Sequence, residues 1–380
     1  MRFFSDLQST GTTRHAPTWA QPRRSCRGVL WLLLCGCSSQ IVTEPSSGGG
    51  GDGGGAGALG GAGGTAVEGG GGFGAGGSGG GPGGAGGSGG APAFDCAVAP
   101  TTPLAMQILP GLRGYHGLAI DQQGWMFGLD VASNLIRSTH EGNWTPVLGN
   151  VFAEQIEFAA SGHLMMNTLE GLGGITPEAQ RYTINANIFG YGLRVGPNEQ
   201  LYVADGSSIE RVDPATGVSE VLVANEEVEW VTHSFDFSPS YDRLYVGMIG
   251  PSGGQVRVAT LDENMNATSP LKPFADVAPD YAWLDGVAVD ICGNLYVPNF
   301  NSSQLFKITQ DGVASLYVDW SANTTQYGHG VIFGNGIGGF REDALYLPMP
   351  YNNHTVMEII VGIPSRTFTG EVLNGPTSSR

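Results

Sequence analysis

Six side chains able to bind a metal, move a proton or donate a hydrogen bond occupy one recurring position of the chain: His116, Glu154, Tyr191, His233, Asp285 and His329. Glycine is the usual next residue, and an apolar stretch follows it. Three of the 7 histidines fall at this position, where a purely structural repeat would carry apolar filler. The donor set of His116, His233, His329 and Asp285 suits zinc or ferrous iron. Calcium and magnesium prefer shells of oxygen alone, so the divalent metal expected here is zinc rather than calcium. Glu154 and Tyr191 complete the group as candidate general base and candidate hydrogen-bond donor. The competing reading is structural, since polar residues also gather where strand ends meet water. Either way, the chemistry depends on bringing residues as distant as His116 and His329 together.

The elements that carry these residues are repeated β units. Asp285-Gly-Val-Ala-Val-Asp leads through a Gly-Asn turn into Leu-Tyr-Val. The cadence returns in Tyr191-Gly-Leu-Arg-Val with Leu-Tyr-Val-Ala-Asp205, in His233-Ser-Phe-Asp-Phe with Leu-Tyr-Val-Gly, and in His329-Gly-Val-Ile-Phe with Leu-Tyr-Leu-Pro. His116-Gly-Leu-Ala-Ile-Asp and Glu154-Gln-Ile-Glu-Phe open two earlier units. Successive first residues lie 38, 37, 42, 52 and 44 residues apart, the length of a four-stranded propeller blade. Further strands are legible inside the units, as in Asn134-Leu-Ile-Arg-Ser, Trp144-Thr-Pro-Val-Leu, Ser208-Ile-Glu-Arg-Val and Ser219-Glu-Val-Leu-Val. The total approaches about two dozen strands, where a sandwich needs about seven to nine. Helical periodicity is nearly absent. The expected fold is all-β, a six-bladed β-propeller over residues 96–370 with a short tail at 371–380. Met106-Gln-Ile-Leu is expected to supply the fourth strand of the sixth blade, closing the ring and removing its free edges. In a closed ring His233, Asp285, His329 and His116 lie on neighbouring blades and form an arc, with Glu154 and Tyr191 facing it.

The residues ahead of the propeller describe export. Arg23, Arg24 and Arg27 precede Val29-Leu-Trp-Leu-Leu-Leu34, an apolar run far shorter than the ~20 residues a membrane span needs. It ends in Leu34-Cys-Gly-Cys37, which resembles the bacterial lipobox, with Leu34 in the apolar position, Gly36 in the small one and Cys37 as the lipid acceptor. Residues 1–36 are accordingly expected to be a signal peptide, and 37–95 a disordered, lipidated Gly/Ala/Ser-rich linker. Such a linker has a root-mean-square reach of roughly 40 Å and no chemistry of its own. Ser38 follows Cys37, where an inner-membrane retention signal would place Asp, which favours an outer membrane within the cell envelope.

Charge and cysteine usage narrow the classes of partner. Five of 17 basic and one of 34 acidic residues precede Cys37, leaving 12 and 33 and a formal charge of −21. A chain so acidic, with Lys272 and Lys307 its only lysines, repels nucleic acid and anionic headgroups. Contact with the membrane is expected only through the N-terminal lipid, and the chain is expected to act as a monomer. Removal of the signal and lipidation of Cys37 leave Cys96 and Cys292, which an oxidising compartment favours as a disulfide between the propeller start and its fifth blade, against two free thiols.

From Gly114 to about Val361 the units resemble the six-bladed propellers of the regucalcin/gluconolactonase family and the related NHL-type propellers, through segments such as Asp285-Gly-Val-Ala-Val-Asp-Ile-Cys-Gly-Asn-Leu-Tyr-Val. In that family the metal ligands occupy this first position: Glu in an early blade, Asn in the fourth and Asp in the fifth. Asp285 matches, whereas His116 stands in place of Glu and His233 in place of Asn, which turns the implied metal toward zinc. Histidine ahead of Gly-Leu or Ser-Phe also resembles the zinc site of the amidating-lyase propeller. There, however, the histidines fall on alternate blades.

The resemblance implies a metal-dependent, lactonase-like hydrolase of small extracellular molecules. His116, His233, Asp285 and His329 would hold the ion, Glu154 would take a proton, and Tyr191 would steady an oxyanion. A zinc-dependent lyase is a close variant, and a non-catalytic propeller binding glycans or proteins at the cell surface is the alternative from another class. The domain contains no phosphate-binding glycine loop, Gly-x-Ser-x-Gly elbow or zinc-knuckle spacing, which argues against an activated serine. Glu226-Glu-Val-Glu-Trp230 and Tyr281-Ala-Trp-Leu284 would frame the mouth, their aromatics either stacking on a flat ligand or packing between blades.

Overall fold

The computed structural model describes residues 94–367, apart from 110, 228, 251–252, 279–281, 322–326 and 351–353. The expected signal peptide, Cys37, nearly all of the expected linker and the 371–380 tail lie outside the described residues, as do Val228 and Tyr281 of the two mouth segments. Among the described residues, twenty-four strands form six four-stranded antiparallel sheets, each one blade. Among the described residues no helix is long and apolar enough to cross a membrane.

Strand β1 (Ala105–Leu109) stands apart in sequence and is placed below. Blade one runs outward from the axis as β2 (Ala119–Ile120), β3 (Met126–Leu129), β4 (Leu135–Ser138) and β5 (Trp144–Leu148). Blade two holds β6 (Ala153–Phe158), β7 (Leu164–Thr168), β8 (Gly171–Ile175) and β9 (Arg181–Asn185). In blade three these positions are filled by β10 (Gly192–Val195), β11 (Leu201–Ala204), β12 (Ser208–Val212) and β13 (Ser219–Ala224). The longest strands are those of blade four: β14 (Val231–Phe237), β15 (Arg243–Gly250), β16 (Gly253–Thr260) and β17 (Lys272–Ala278). That length accounts for the long step between His233 and Asp285. Blade five contains β18 (Ala288–Val289), β19 (Leu295–Asn299), β20 (Gln304–Ile308) and β21 (Ala314–Asp319). Blade six has β22 (Ile332–Phe333), β23 (Ala344–Met349) and β24 (Thr355–Ile360), with β1 as its outermost strand.

The repeated Leu-Tyr-Val explains why blades stack. Successive side chains of a strand point to opposite faces. On β11, Leu201 and Val203 therefore enter the layer shared with blade two, while Tyr202 and Ala204 enter the layer shared with blade four. Tyr245, Tyr296 and Tyr346 likewise face the next blade around the ring. Among the described residues six buried apolar layers result, one at each blade interface, and the second strand of every blade contributes to two of them. Asp-x-x-Gly turns join the first and second strands of blades one and five. Asp121 Oδ1 accepts from Gln123 N and Trp125 N at 2.9 and 2.8 Å, and Gly124 supplies the positive φ of 79° that closes the hairpin.

Closure follows the expected route. Strand β1 pairs antiparallel with β24, Met106 opposite Ile359. Gln107 donates to buried Glu358, which also accepts from the Tyr346 hydroxyl at 2.7 Å and meets His140 Nε2 of blade one at 3.1 Å. Cys96 and Cys292 form a disulfide, with Cα atoms 5.6 Å apart and a sequence separation of 196 residues. Cys292 lies in the turn between β18 and β19, so the bond ties the start of the domain to blade five. Replacing both cysteines by serine is expected to destabilise the domain by about 2–5 kcal/mol in urea unfolding. A reduced parent should unfold at the same midpoint as the variant; equal stability of oxidised and serine forms would remove this role.

Candidate active site at the upper mouth of the channel

Local backbone features place each ring residue. In blades two and four the register slips at Ala153/Gln155 and Thr232/Ser234, so Glu154 and His233 are the extra, bulged residues, a geometry that re-aims a side chain. In blades five and six, Pro298 and Pro348 sit on the second strand opposite Gly286 and Gly330 and have no N–H to offer the ladder. Strands β18 and β22 therefore begin three residues after Asp285 and His329, whose own N–H groups donate to the Pro298 and Pro348 carbonyls at 3.3 and 2.9 Å. The one recurring position thus takes two local forms: four of the residues precede the innermost strand of their blade and two are bulges within it.

Glycine after the ring residue lets neighbouring blades approach. A Cβ on Gly117 would lie 2.8 Å from Ile156 N, and one on Gly286 would lie 2.8 Å from Val331 N. Where the successor is Ser234 instead, its hydroxyl donates to Leu284 O of the next blade at 3.1 Å.

The six residues line one cavity of about 20 Å³, room for a single water. His116 Nδ1 lies 3.1 Å from Glu154 Oε2. Asp285 sits between two imidazoles, with His233 Nδ1 3.0 Å from one oxygen and His329 Nδ1 2.5 Å from the other. Both contacts are close but poorly aligned as hydrogen bonds, since His233 Nδ1 and Asp285 Oδ2 each lack an aligned partner. Tyr191 stacks on His233 with ring centres 4.6 Å apart, and the His116 and His329 rings meet edge to face at 4.3 Å. Of the carboxylates, Asp285 is only 2% exposed whereas Glu154 is 34% exposed and opens toward solvent.

These surroundings drive the protonation states apart. Burial disfavours a charge on Asp285, but His329 and His233 overcome this and hold it well below the usual carboxylate range. Burial would likewise discharge His329, yet Asp285 raises its pKa above the ordinary 6.5. His116 is lowered well below 6.5 by burial and then by His329. The surrounding protein raises the Glu154 pKa above 4.5, only partly offset by His329 and His233. The cluster therefore combines a neutral imidazole, a weakly acidic carboxyl and a buried imidazolium–carboxylate pair.

A divalent metal fits these residues by type but not by arrangement. Among the described residues no three His, Cys, Asp or Glu side chains are placed to hold an ion. Each Asp285 oxygen faces an Nδ1 atom, Glu154 is turned to His116, and the edge-to-face contact of His116 and His329 keeps those rings off a common centre. The expected shell of His116, His233, Asp285 and His329 is gathered into one cavity without being assembled.

His140, His163 and His354 lie outside the ring and are partly buried: His140 meets Glu358, His163 meets Tyr182, and His354 stacks on Tyr115. Of the mouth aromatics, Trp230 lies beneath Arg257, and Trp283 packs against His233 and Phe300. A second charged set was missed in the sequence. Glu157, Arg194 and Asp236 stand three residues after Glu154, Tyr191 and His233, so the repeat register that yields the upper ring also holds the signal for them.

No family model matches this chain, and no curated protein matches it. Solved structures match in fold. A gluconolactonase from Xanthomonas campestris superposes with a TM-score of 0.55 at 14% identity, covering 71% of this chain and 94% of its own. A calcium-binding protein, regucalcin, from Agrobacterium tumefaciens gives 0.55 at 16% identity over 70% of this chain and 96% of its own. An auxiliary nutrient binding protein from Bacteroides thetaiotaomicron gives 0.54 at 10% identity over 66% and 69%. At such identities the likeness is one of architecture, and the six-bladed propeller of this chain is the fold it shares with gluconolactonase and regucalcin structures.

Proposed function

We infer that this chain is a lipid-anchored envelope propeller whose upper mouth carries out general acid–base hydrolysis of a small ester or lactone. The observation that carries the reading is the split protonation of two carboxyl groups around one water-sized cavity: Glu154 weakly acidic and reachable, Asp285 buried and ionised. Opposed shifts of this kind separate the roles of acid and base. Ionised Glu154 takes a proton from the cavity water as its oxygen bonds to the substrate carbonyl carbon. The His329 imidazolium, held by Asp285, and Tyr191 meet the developing oxyanion. Collapse breaks the ester C–O bond, and the leaving alkoxide takes the proton from Glu154. The fold likeness to a gluconolactonase supports the substrate class.

Donor type alone favours zinc in this cluster. About one equivalent of zinc in the purified protein, lost in a His233→Ala/His329→Ala variant, would establish it. The second reading, a propeller binding glycans or proteins through its loops, is supported by the fold likeness to an auxiliary nutrient binding protein.

On a panel of aliphatic lactones and esters, Glu154→Gln is expected to lower kcat/KM by about 10²–10⁴-fold with an unchanged melting temperature. Undiminished turnover in that variant would sink the acid–base role, and binding without turnover in the parent would favour the second reading. The pH–rate profile should be bell-shaped. Activity rises as pH climbs through the Glu154 pKa, which lies above 4.5, because the base must be ionised. It falls as pH climbs through the His329 pKa, above 6.5, because the oxyanion loses its positively charged partner. A profile flat across both limbs contradicts the assignment. For the anchor, mass spectrometry of the mature protein is expected to find an acylated Cys37 at the N-terminus, and an unmodified cysteine there would exclude it.

A further inference from the structure

The opposite end of the channel has its own chemistry, independent of the upper mouth. Its cavity of about 260 Å³ is lined by Glu157, Arg194, Asp236 and Arg366 among apolar residues of the inner strands. That volume lies just under the range of about 300–1,000 Å³ typical for drug-sized ligands and suits a smaller molecule.

Arg366 arrives on the chain that follows β24. This segment leaves blade six and crosses beneath blade five, Ile291 N donating to Pro364 O at 2.9 Å and Arg366 N to Val289 O at 3.0 Å. The Arg366 guanidinium lies near the rings of Phe237 and Tyr241, and its Nε and Nη2 both reach Asp236 Oδ1 at 2.8 Å. Asp236 is fully engaged, for its Oδ2 accepts from Val289 N at 3.1 Å and its Oδ1 from Phe237 N at 2.9 Å. Arg194 crosses the channel from blade three to donate to Val287 O at 2.9 Å.

Two buried polar atoms in this cluster have no aligned hydrogen-bond partner: Arg366 Nη1, on a side chain 7% exposed, and Glu157 Oε2, 3.6 Å from Arg194 Nη1. A buried polar group left unmatched is costly, so such pairs in a cavity mark where a ligand's polar atoms belong. With Glu157 protonated, two guanidiniums face one fully engaged aspartate, and a single anion beside the Glu157 carboxyl would balance the excess positive charge.

We propose that the lower mouth of the channel binds a small monocarboxylate, of the size of a hydroxy acid, with its carboxylate on Arg366 Nη1 and a second oxygen on Glu157. Burial, offset by Arg194 and reinforced by Asp236, pushes the Glu157 pKa up to about 7. A guanidinium is charged at all relevant pH. Glu157 is therefore the group here that titrates near neutrality, and its protonated form receives an anion without repulsion.

The experiment is calorimetric titration of the full mature chain with sodium lactate at about pH 6 and about pH 8, with propane-1,2-diol as the analogue lacking the carboxylate. Lactate is expected to bind saturably and the diol not at all. A group titrating at about 7 that must be protonated weakens binding about tenfold between those two pH values. Glu157→Gln should keep the binding and flatten this dependence. Arg366→Lys should weaken binding at least about tenfold, since the fork is lost while the charge stays. If that variant fails to fold, the response of Glu157→Gln decides. No saturable lactate binding, equal binding of the diol, an unflattened pH response in Glu157→Gln, or loss of binding in Glu154→Gln rather than in Arg366→Lys would each overturn the proposal.

Discussion

A wheel of blades holds together only if its last blade meets its first, and here that junction is a five-residue pairing of β1 with β24. Every apolar layer needs a neighbour on each side, so an open ring would leave two large faces and two sheet edges in water. Glu358 reinforces the junction from within. Burial disfavours its charge, but donors on Tyr346, Gln107 and His140 keep its pKa below the ordinary range, and they come from β23, β1 and blade one. One buried carboxylate thus reads whether three separate segments are in place.

Closure also creates the chemistry. Six inner segments directed along one axis bring their starts to one mouth and their fourth residues to the other, so a single repeat register builds two polar clusters with apolar side chains between them. The two ends differ in kind. The upper cluster is imidazole-rich and nearly filled by its own side chains, whereas the lower is guanidinium-rich and leaves space. Arg194, reaching from blade three to blade five, braces the channel toward its lower end.

Much of this was legible in the sequence because repetition carries it. The spacing of His116, Glu154, Tyr191, His233, Asp285 and His329 gives the blade count, and alternation in Leu-Tyr-Val explains which side chains face which neighbour. Met106-Gln-Ile-Leu as the closing strand could be read because it lies unpaired before the first unit. Side-chain direction was not legible. Nothing in the residue types says that Asp285 would divide its two oxygens between His233 and His329, or that the rings of His116 and His329 would meet edge to face. Nor could the bulges at Glu154 and His233 be foreseen, since they depend on the partner strand's length. Arg366 was hidden for another reason: it belongs to no repeat, and its place depends on the path of the chain after the last strand.

The link between Cys96 and Cys292 has a mechanical meaning. Strand β1 starts at Ala105, nine residues after Cys96. Traction applied upstream of Cys96 passes through a covalent bond into the turn between β18 and β19 and is borne there by blade five. The zipper that shuts the wheel lies downstream of that point and stays unloaded, so drag on the body cannot unpeel it strand-first while the bond is intact.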